Sequence, residues 1–566
     1  MTFTQWFIFF LVLQVIHFLG TWKLYVKAGR KAWEALIPVY NAVILMKIIN
    51  RPWWWVILLF LPIINLIMFP VVWVETIRSF GRNSTLDTWL VILTLGFYIY
   101  YVNYALDVKY IEERDLKPRT ATGEWISSIL FAVVAATLVH TYFMQPYVIP
   151  TSSLEQTLLV GDFLFVSKFH YGARVPMTTV AFPMVHDTIP VLKSRSYIKK
   201  PQLPYMRIPG FQKIKRNDIV VFSWPADTVE RFFQYTDKRI RKPIDKKSNY
   251  VKRCVGIAGD SIEIRDGYVY INGERLVLSD RAKTQYTYLV KGSKGVSSTA
   301  LLDAGAREIT RTYVASGMNQ NQLDAVLPYL SRNPERVQNG IALITGKNGI
   351  PMNLVNKLRL NISEITNVER EATLTEEGAE KLRANSSIDS VIRYIMPESI
   401  TSTSFFPNDN AYQWNLDHMG PFYIPEKGKT ITLNLNNLPL YKKIIVEYEH
   451  NALRVNGNQI YINDQPVTEY TFQQDYYWMM GDNRHRSEDS RYWGFVPFDH
   501  VVGKPVFIWM SIENIHDGIS NFKIRWDRVF TTVGGEGKPR SYFIYFVIAV
   551  VAWIIFSQFR KRKKAK

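Results

Sequence analysis

YVIPTSSLEQTLLVGD, residues 147–162, joins two parts of the chain that differ in composition. Before it lies a long apolar run, residues 125–143, and after it come short segments rich in Val, Ile, Phe and Tyr. Three hydroxyl side chains, Thr151, Ser152 and Ser153, follow the apolar run within a few residues. The stretch therefore indicates a membrane helix followed by a mainly β domain, with a cluster of hydroxyls at the boundary.

The 566-residue chain is too long for one hydrophobic core and predicts several structural units. Its net charge of +19 suits either nucleic acid or an anionic membrane surface. Because apolar residues concentrate near both ends, we expect a bilayer with anionic lipid as partner and no nucleic acid. The single cysteine, Cys254, excludes an internal disulfide and a CxxC metal site, and we expect it to be a small buried side chain.

Five apolar segments are long enough to predict about five membrane helices, four N-terminal (3–20, 53–75, 88–106 and 125–143) and one C-terminal (542–557). The basic residues of the first segment follow its apolar run, which favours an uncleaved anchor. The loops 21–52 and 107–124 and the C-terminal tail are rich in Lys and Arg, which favours a cytoplasmic location for all three. Residues 144–541 would then lie outside. Arg78 and Arg82, between the second and third segments, count against this topology.

The outer segment predicts a mainly-β catalytic domain that is interrupted by an inserted α/β subdomain. The expected parts are a membrane region at 1–143, the first part of the catalytic domain at 144–279, the insertion at 280–440, the second part of the catalytic domain at 441–541, and a C-terminal helix with a basic tail at 542–566. Two similar stretches, 265–277 and 455–467, each predict a hairpin with a Gly turn. The inserted segment carries no motif that assigns it a task.

The sequence restricts the catalytic chemistry that the outer domain can use. It has no HExxH motif and no Cys/His cluster, so no metal is expected, and no GxSxG elbow marks a serine. A Ser-His-Asp triad stays possible because its members need not be close in sequence. A Ser–Lys pair is the more economical option, but its lysine must lose a proton near neutral pH. Lowering a pKa of about 10.4 to 7–8 costs about 4 kcal/mol, which burial supplies.

The segment SNYVKRCVGIAGD, residues 248–260, offers such a lysine. On a strand, Lys252 and Cys254 share one face, whereas Val251 and Arg253 point to the other. Lys252 would then have small, apolar neighbours, and Arg253 would keep its charge elsewhere. From this pattern alone, an ordinary solvated strand lysine is the commoner reading.

Four separated segments extend the pattern: IPTSSLEQTLLVGDFLFVSKFHYG (149–172), KRNDIVVFSWP (215–225), NYVKRCVGIAGDSIEIRDGYVYING (249–273) and YWMMGDNRHRSEDSRYWGFVPFDHVVGK (477–504). In this order, beside a membrane helix, they resemble the motifs of bacterial type I signal peptidase, the membrane-bound Ser–Lys endopeptidase that removes signal peptides. The last motif is very specific. The resemblance implies that Ser153 is the nucleophile and Lys252 the general base, and that Thr151 and the Ser153 N–H form the oxyanion hole.

The same resemblance implies supporting roles around this pair. Ser487 would orient the lysine, and Asp489 with Arg491 would brace the site. Ile149 and Val251 correspond to residues of the substrate pockets. Asp482 and Asn483 are expected to shape the turn that presents Ser487.

The resemblance implies an enzyme of the bacterial inner membrane with a periplasmic catalytic domain and no cofactor. It would cleave the signal peptides of exported preproteins after small residues at −1 and −3. The additional N-terminal helices are either anchors alone or contacts to the export machinery. Two alternatives stay open: a Ser–Lys protease with a narrow set of membrane-tethered substrates, and a non-catalytic membrane scaffold of the same fold. The basic run 237–253 is read as a solvated loop near anionic lipid.

Overall fold

The computed structural model describes residues 1–118, 120–228, 240–338, 340–516 and 522–564. The helices of the N-terminal region are α1 (Phe3–Lys27), α2 (Tyr40–Ile48), α3 (Trp55–Phe60), α4 (Asn65–Ser79), α5 (Thr85–Leu93), α6 (Tyr98–Tyr104) and α7 (Ala121–Leu138). A π-helical turn, Val139–Phe143, extends α7. The later helices are α8 (Ser298–Asp303), α9 (Gln320–Val326), α10 (Met352–Leu358), α11 (Glu376–Arg383), α12 (Leu438–Lys443), α13 (Ser490–Trp493) and α14 (Phe543–Lys564).

Within the described ranges, three helical segments are long and apolar enough to cross a membrane: Phe3–Lys27, Ala121–Phe143 and Phe543–Arg560. They correspond to the first, fourth and fifth apolar segments of the sequence. The pair α5 and α6 adds a fourth only if the two helices, bent by 118°, count as one span. Five separate spans are therefore not confirmed.

Single residues interrupt the helices of the second and third apolar segments. Pro62 follows α3, and Leu61 before it is extended, as expected for a residue that precedes proline. Between α5 and α6, Gly96 has φ +89°, and a Cβ there would lie 2.9 Å from the ring of Trp73. Only a glycine suits this turn, which packs directly against α4.

The breaks convert both segments into helical hairpins whose open ends lie together. Glu75, near the end of α4, accepts hydrogen bonds from Arg51, which precedes α3, and from Arg114, which follows α6. Ile111 N–H donates to the carbonyl of Ser79 at 2.9 Å. The chain thus enters and leaves both hairpins at the same end of the helices, next to Glu75.

The strands of the catalytic part before the insertion are β1 (Met144–Val148), β2 (Asp162–Ser167), β3 (Ile219–Ser223), β4 (Asn249–Gly256), β5 (Ser261–Arg265), β6 (Tyr268–Ile271) and β7 (Glu274–Arg275). Those that follow up to residue 393 are β8 (Tyr286–Lys291), β9 (Arg311–Ala315), β10 (Glu335–Val337), β11 (Gly340–Thr345), β12 (Ile362–Glu364), β13 (Glu369–Leu374) and β14 (Ser390–Arg393). The remainder are β15 (Met419–Tyr423), β16 (Thr430–Thr432), β17 (Leu453–Asn456), β18 (Gln459–Ile462), β19 (Gln465–Val467), β20 (Glu469–Thr471), β21 (Tyr476–Met480), β22 (Val496–Pro497), β23 (Val501–Glu513), β24 (Lys523–Ile524) and β25 (Thr531–Thr532).

The main sheet has the antiparallel order β1-β2-β23-β3-β4-β21-β22, so it combines strands from before and after the insertion. Two small sheets, β15-β5-β6-β7 and β17-β18-β19, contain the hairpins expected at 265–277 and 455–467. The mainly β fold of the outer segment is confirmed.

Strands β8 to β14 form two sheets of their own, β13-β8-β14 and β10-β11-β9-β12. The chain returns to the catalytic part at β15, which pairs with β5. The domain boundaries drawn from the sequence stay a prediction.

Gly161 fixes the loop that follows β1 against the main sheet. Its N–H donates to the Ile149 carbonyl, and its own carbonyl accepts from the Ile512 N–H, both at 2.9 Å. The residue has φ +87°, and a Cβ there would lie 1.9 Å from the Ile512 carbonyl oxygen. A larger residue would therefore force β2 and β23 apart next to the hydroxyl cluster.

We expect Gly161→Ala to destabilise the protein by about 1–3 kcal/mol more than Gly273→Ala. Gly273 is the matched control, because its φ is +88° but its Cβ position has nothing within 4 Å. Both variants place an alanine at nearly the same positive φ, and only Gly161→Ala adds the clash. Thermal unfolding of the solubilised protein measures the difference, and equal unfolding midpoints would show that the clash is relieved by movement.

Candidate active site

Ser153 lies in a loop, residues 149–161, that we call the Ser153 loop. The loop closes on the end of β1, where Ile149 N–H donates to the Asp162 carbonyl at 2.9 Å. Both ends of the loop are thus held beside the edge of the main sheet. Ser153 is buried, whereas Thr151 is exposed.

Lys252 lies in β4, inside the main sheet, with β3 on one side and β21 on the other. Its side chain is 2% exposed, and its Nζ lies 2.5 Å from Ser153 Oγ, to which it donates. Burial lowers the pKa of Lys252 to about 8, although the nearby carboxylates of Asp489 and Glu488 oppose this shift. The structure therefore brings together the serine and the lysine that the sequence singled out.

The neighbours of Lys252 in β4 are placed largely as strand alternation predicts. Cys254 is fully buried with Val220, Phe222 and Met479, and burial raises the pKa of its thiol. Arg253 points to the other face, but it is buried there as well, at 3% exposed. The charge of Arg253 lies away from Lys252, as expected. A second buried group pairs with it.

That group is Asp482, whose carboxylate accepts two hydrogen bonds from Arg253, each at 2.7 Å. Thr157 Oγ1, in the Ser153 loop, donates to the same carboxylate at 2.7 Å. Burial raises the pKa of Asp482, but Arg253 outweighs this effect and holds that pKa below its usual value. The ion pair therefore joins β4 to the Ser153 loop.

Asn483 binds the Ser153 loop directly. Its backbone N–H donates to the Ser153 carbonyl at 3.1 Å, and its Nδ2 donates to the Ser152 carbonyl at 3.2 Å. Asp482 and Asn483 thus do more than shape the turn before Ser487, which was the role expected for them. They determine where the Ser153 loop lies.

Asp489 and Arg491 form a second buried ion pair behind the Ser153–Lys252 pair. Arg491 donates to both carboxylate oxygens of Asp489, at 2.9 and 2.8 Å, and the Gly481 N–H donates to Asp489 at 3.0 Å. Despite burial, Arg491 lowers the pKa of Asp489. Gly481 has no room for a side chain, since a Cβ would lie 2.3 Å from Ser487 Oγ and 2.6 Å from the Ser153 carbonyl oxygen. The contacts of this ion pair are therefore those expected of a structural support for the site.

The hydroxyls of Ser487 and Thr151 have no partner in the described part of the chain. Ser487 Oγ is buried against Gly481 without a hydrogen bond, and no bond joins it to Lys252. No hydrogen bond within the described ranges involves Thr151 Oγ1. The roles expected for these two hydroxyls stay predictions.

Ile149 and Val251, the expected pocket residues, lie in one apolar cluster. Ile149 is 3% exposed and packs in this cluster with Leu154 and Val221, and Val251 is packed against it, only partly buried. The two elements that carry the Ser153–Lys252 pair therefore also supply the apolar surface beside it.

Sequence reasoning missed two glutamines that join the inserted segment to the site. Gln285, 1% exposed, donates through Nε2 to the Glu155 carbonyl at 2.7 Å. Its N–H donates to the Asp482 carbonyl at 2.8 Å. Gln156 has φ +66° and donates to the Gly305 carbonyl at 2.9 Å. These contacts join segments distant in the chain, and no local motif signals them.

The described residues contain no group of three or more His, Cys, Asp or Glu side chains that could hold a metal ion. A family model described as signal peptidase, peptidase S26, matches residues 122–348 and 430–510, more than half of the chain. The chain belongs to the peptidase S26 family of signal peptidases. A second model, for a family of unknown function (DUF5684), matches residues 33–113, which include both helical hairpins.

Curated relatives of this family carry the name signal peptidase I. The protein of Rickettsia massiliae is 30% identical over 158 residues, which are 28% of this chain and 46% of the relative. The protein of Haemophilus influenzae is 23% identical over 431 residues, 75% of this chain and 79% of the relative. That of Buchnera aphidicola subsp. Schizaphis graminum is 23% identical over 396 residues, 69% of this chain and 75% of the relative. The match with the Rickettsia relative thus spans about half of that protein.

Proposed function

We propose that the protein is a signal peptidase I, a serine endopeptidase that removes N-terminal signal peptides from exported preproteins. The observation that carries this proposal is the 2.5 Å contact between Lys252 Nζ and Ser153 Oγ in a buried setting. A signal peptide keeps its apolar core in the bilayer, so its cleavage site emerges where the Ser153 loop follows α7. Family membership supports the same assignment.

In this mechanism the neutral amine of Lys252 accepts the proton of Ser153, whose Oγ attacks the scissile carbonyl carbon. The Ser153 N–H and the Thr151 hydroxyl would stabilise the resulting oxyanion. The Lys252 ammonium then donates its proton to the leaving amine, and water hydrolyses the acyl-enzyme. Ser487, whose buried Oγ has no hydrogen-bond partner among the described residues, would orient the amine.

Substrate binding is proposed along the free edge of β1. Among the described residues β1 pairs only with β2, so its other edge can accept an extended peptide. Small side chains at −1 and −3 would contact the apolar surface of Ile149 and Val251. The bilayer with its anionic lipid is the second partner, and any contact with the export machinery would use the N-terminal helices.

We propose that residues 144–541 lie on the periplasmic side of a bacterial inner membrane. Three crossing helices, α1, α7 and α14, give the same orientation as five, because the two hairpins enter and leave at one level. In this arrangement Arg82 would lie on the side of the basic loops and would no longer conflict with the topology.

Ser153→Ala and Lys252→Ala should each abolish cleavage of a preprotein with an A-x-A site by the detergent-solubilised protein. Each substitution removes one of the two groups that exchange the proton. Ser152→Ala and the exposed Lys357→Ala are matched controls and should cleave like the wild type. Activity in either dyad variant would refute the mechanism. A folded wild type that cleaves no general preprotein would instead favour a protease of narrow specificity or an inert scaffold.

The rate of cleavage should rise with pH up to about 8. Below the pKa of Lys252, which burial lowers to about 8, the amine is protonated and cannot accept the Ser153 proton. The single-turnover rate measured between pH 6 and pH 10 tests this. A rate that is constant across this range would show that Lys252 does not titrate during the reaction.

Cysteine labelling distinguishes the three-helix topology from five spans. The sole native thiol, Cys254, is fully buried and should not react. In cells whose outer membrane alone is permeable, a membrane-impermeant maleimide should modify Glu274→Cys. It should modify Asn83→Cys only after the inner membrane is opened. Five spans predict that both positions react before that step.

A further inference from the structure

A cavity of about 140 Å³ lies where α7 meets the catalytic part, outside the Ser153–Lys252 site. The last turn of the α7 span contributes His140 and Thr141, and β1 contributes Gln145 and Tyr147. The tip of the α3–α4 hairpin contributes Ile63. The volume is several times the roughly 30 Å³ that one water molecule occupies. The cavity therefore has room for a small polar group at the outer end of a membrane helix.

The walls of this cavity carry an excess of basic side chains. Those that line it are His140, Lys168, Arg174, His186 and Lys246, and its acidic side chain is Asp245. The two oxygens of Asp245 accept hydrogen bonds from the N–H and hydroxyl of Thr178, each at 2.9 Å. The three Lys and Arg side chains thus outnumber the one carboxylate, which already has local donors.

Two of these cations have donors to spare. No hydrogen bond within the described ranges involves Lys168 Nζ. Lys246 Nζ makes a long contact of 3.5 Å to the Val185 carbonyl and lies 5.3 Å from the centre of the Tyr197 ring. Burial, together with the charge of Arg174, lowers the pKa of Lys168 to about 7. A buried ammonium without a counter-charge is costly, and a bound anion would remove that cost.

Exposed apolar side chains line part of the cavity. Phe182 and Met184 line it and are 57% and 56% exposed, and Ile63 lies in the membrane hairpin. A free inorganic anion gains nothing from such a lining. A lipid does, because its phosphate and its acyl chains meet at this depth of the bilayer.

We propose that this cavity binds the phosphate headgroup of an anionic phospholipid from the outer leaflet. Lys168, Arg174 and Lys246 would hold the phosphate oxygens, and the acyl chains would run past Phe182 and Met184. The basic run that was read as a solvated loop near lipid contributes Lys246 to this site; the part of that run before residue 240 lies outside the described residues. The site is independent of the proposed proteolysis, because binding requires neither Ser153 nor Lys252.

The test measures the unfolding midpoint of the detergent-solubilised full-length protein during titration with dioleoylphosphatidylglycerol. A ligand that binds the folded state raises the midpoint. The wild type and Lys357→Gln, an exposed lysine of α10, should respond at the same lipid concentration. Lys168→Gln should need about tenfold more lipid, as expected for the loss of one charge-assisted hydrogen bond. Dioleoylphosphatidylcholine should shift the midpoint far less than the anionic lipid.

The lipid-free midpoints separate binding from a structural role. Because Lys168 has no ion pair or hydrogen bond within the described ranges, Lys168→Gln should have a lipid-free midpoint at or above that of the wild type, whereas loss of a structural lysine would lower it. An equal response of wild type and Lys168→Gln to the anionic lipid, or an equal effect of phosphatidylcholine, would overturn the proposal. Inorganic phosphate that replaces the lipid at comparable concentration would show a free-anion site and would also overturn it.

Discussion

The burial of one amine against one hydroxyl is the constraint that organises the catalytic part. Lowering the pKa of Lys252 from 10.5 to about 8 corresponds to roughly 3 kcal/mol of destabilised ammonium. A mobile lysine would escape this cost by turning to solvent, so β4 holds it between two strands. The ion pairs Arg253–Asp482 and Asp489–Arg491 also serve this purpose. In the second pair, Arg491 opposes the effect of Asp489, whose carboxylate alone would raise the pKa of Lys252.

The sequence predicts the centre of the site better than its supports. Strand alternation placed Lys252 and Cys254 on one face, and both are buried there. Alternation could not show that Arg253 is buried too, because its partner Asp482 lies more than two hundred residues away in the chain. The same holds for Gln285, an ordinary polar residue until folding places it beside two loops. Motifs record chemistry that is local in sequence, whereas these supports exist only in the tertiary structure.

The N-terminal region and α14 show which membrane helices hydropathy can predict and which it cannot. Length and apolar composition suffice to predict α1, α7 and α14, since each is a continuous helix. They also predict spans at 53–75 and 88–106, which the structure does not confirm, because each segment is divided into two helices. These divisions depend on Pro62 and Gly96, and the ends of the helices are joined by the contacts of Arg51 and Arg114 with Glu75. A hydropathy average over a whole segment does not detect such single positions. The weak signal that was present is the pair Arg78 and Arg82, which fits the hairpins and not the spans.

Strand β1 connects the end of the α7 helical segment to the Ser153 loop, where the proposed cleavage takes place. Alternate residues of a strand face the same way, so Gln145 and Tyr147, which line the basic cavity, share a face with Ile149 next to Ser153. At about 3.3 Å per residue, Gln145 and Ile149 are roughly 13 Å apart along the strand. The π-helical turn that ends at Phe143 leads directly into this strand and leaves little freedom between them. A headgroup bound at one end of β1 would therefore set the height of the other end above the bilayer, and with it the reach of Ser153 toward an emerging peptide.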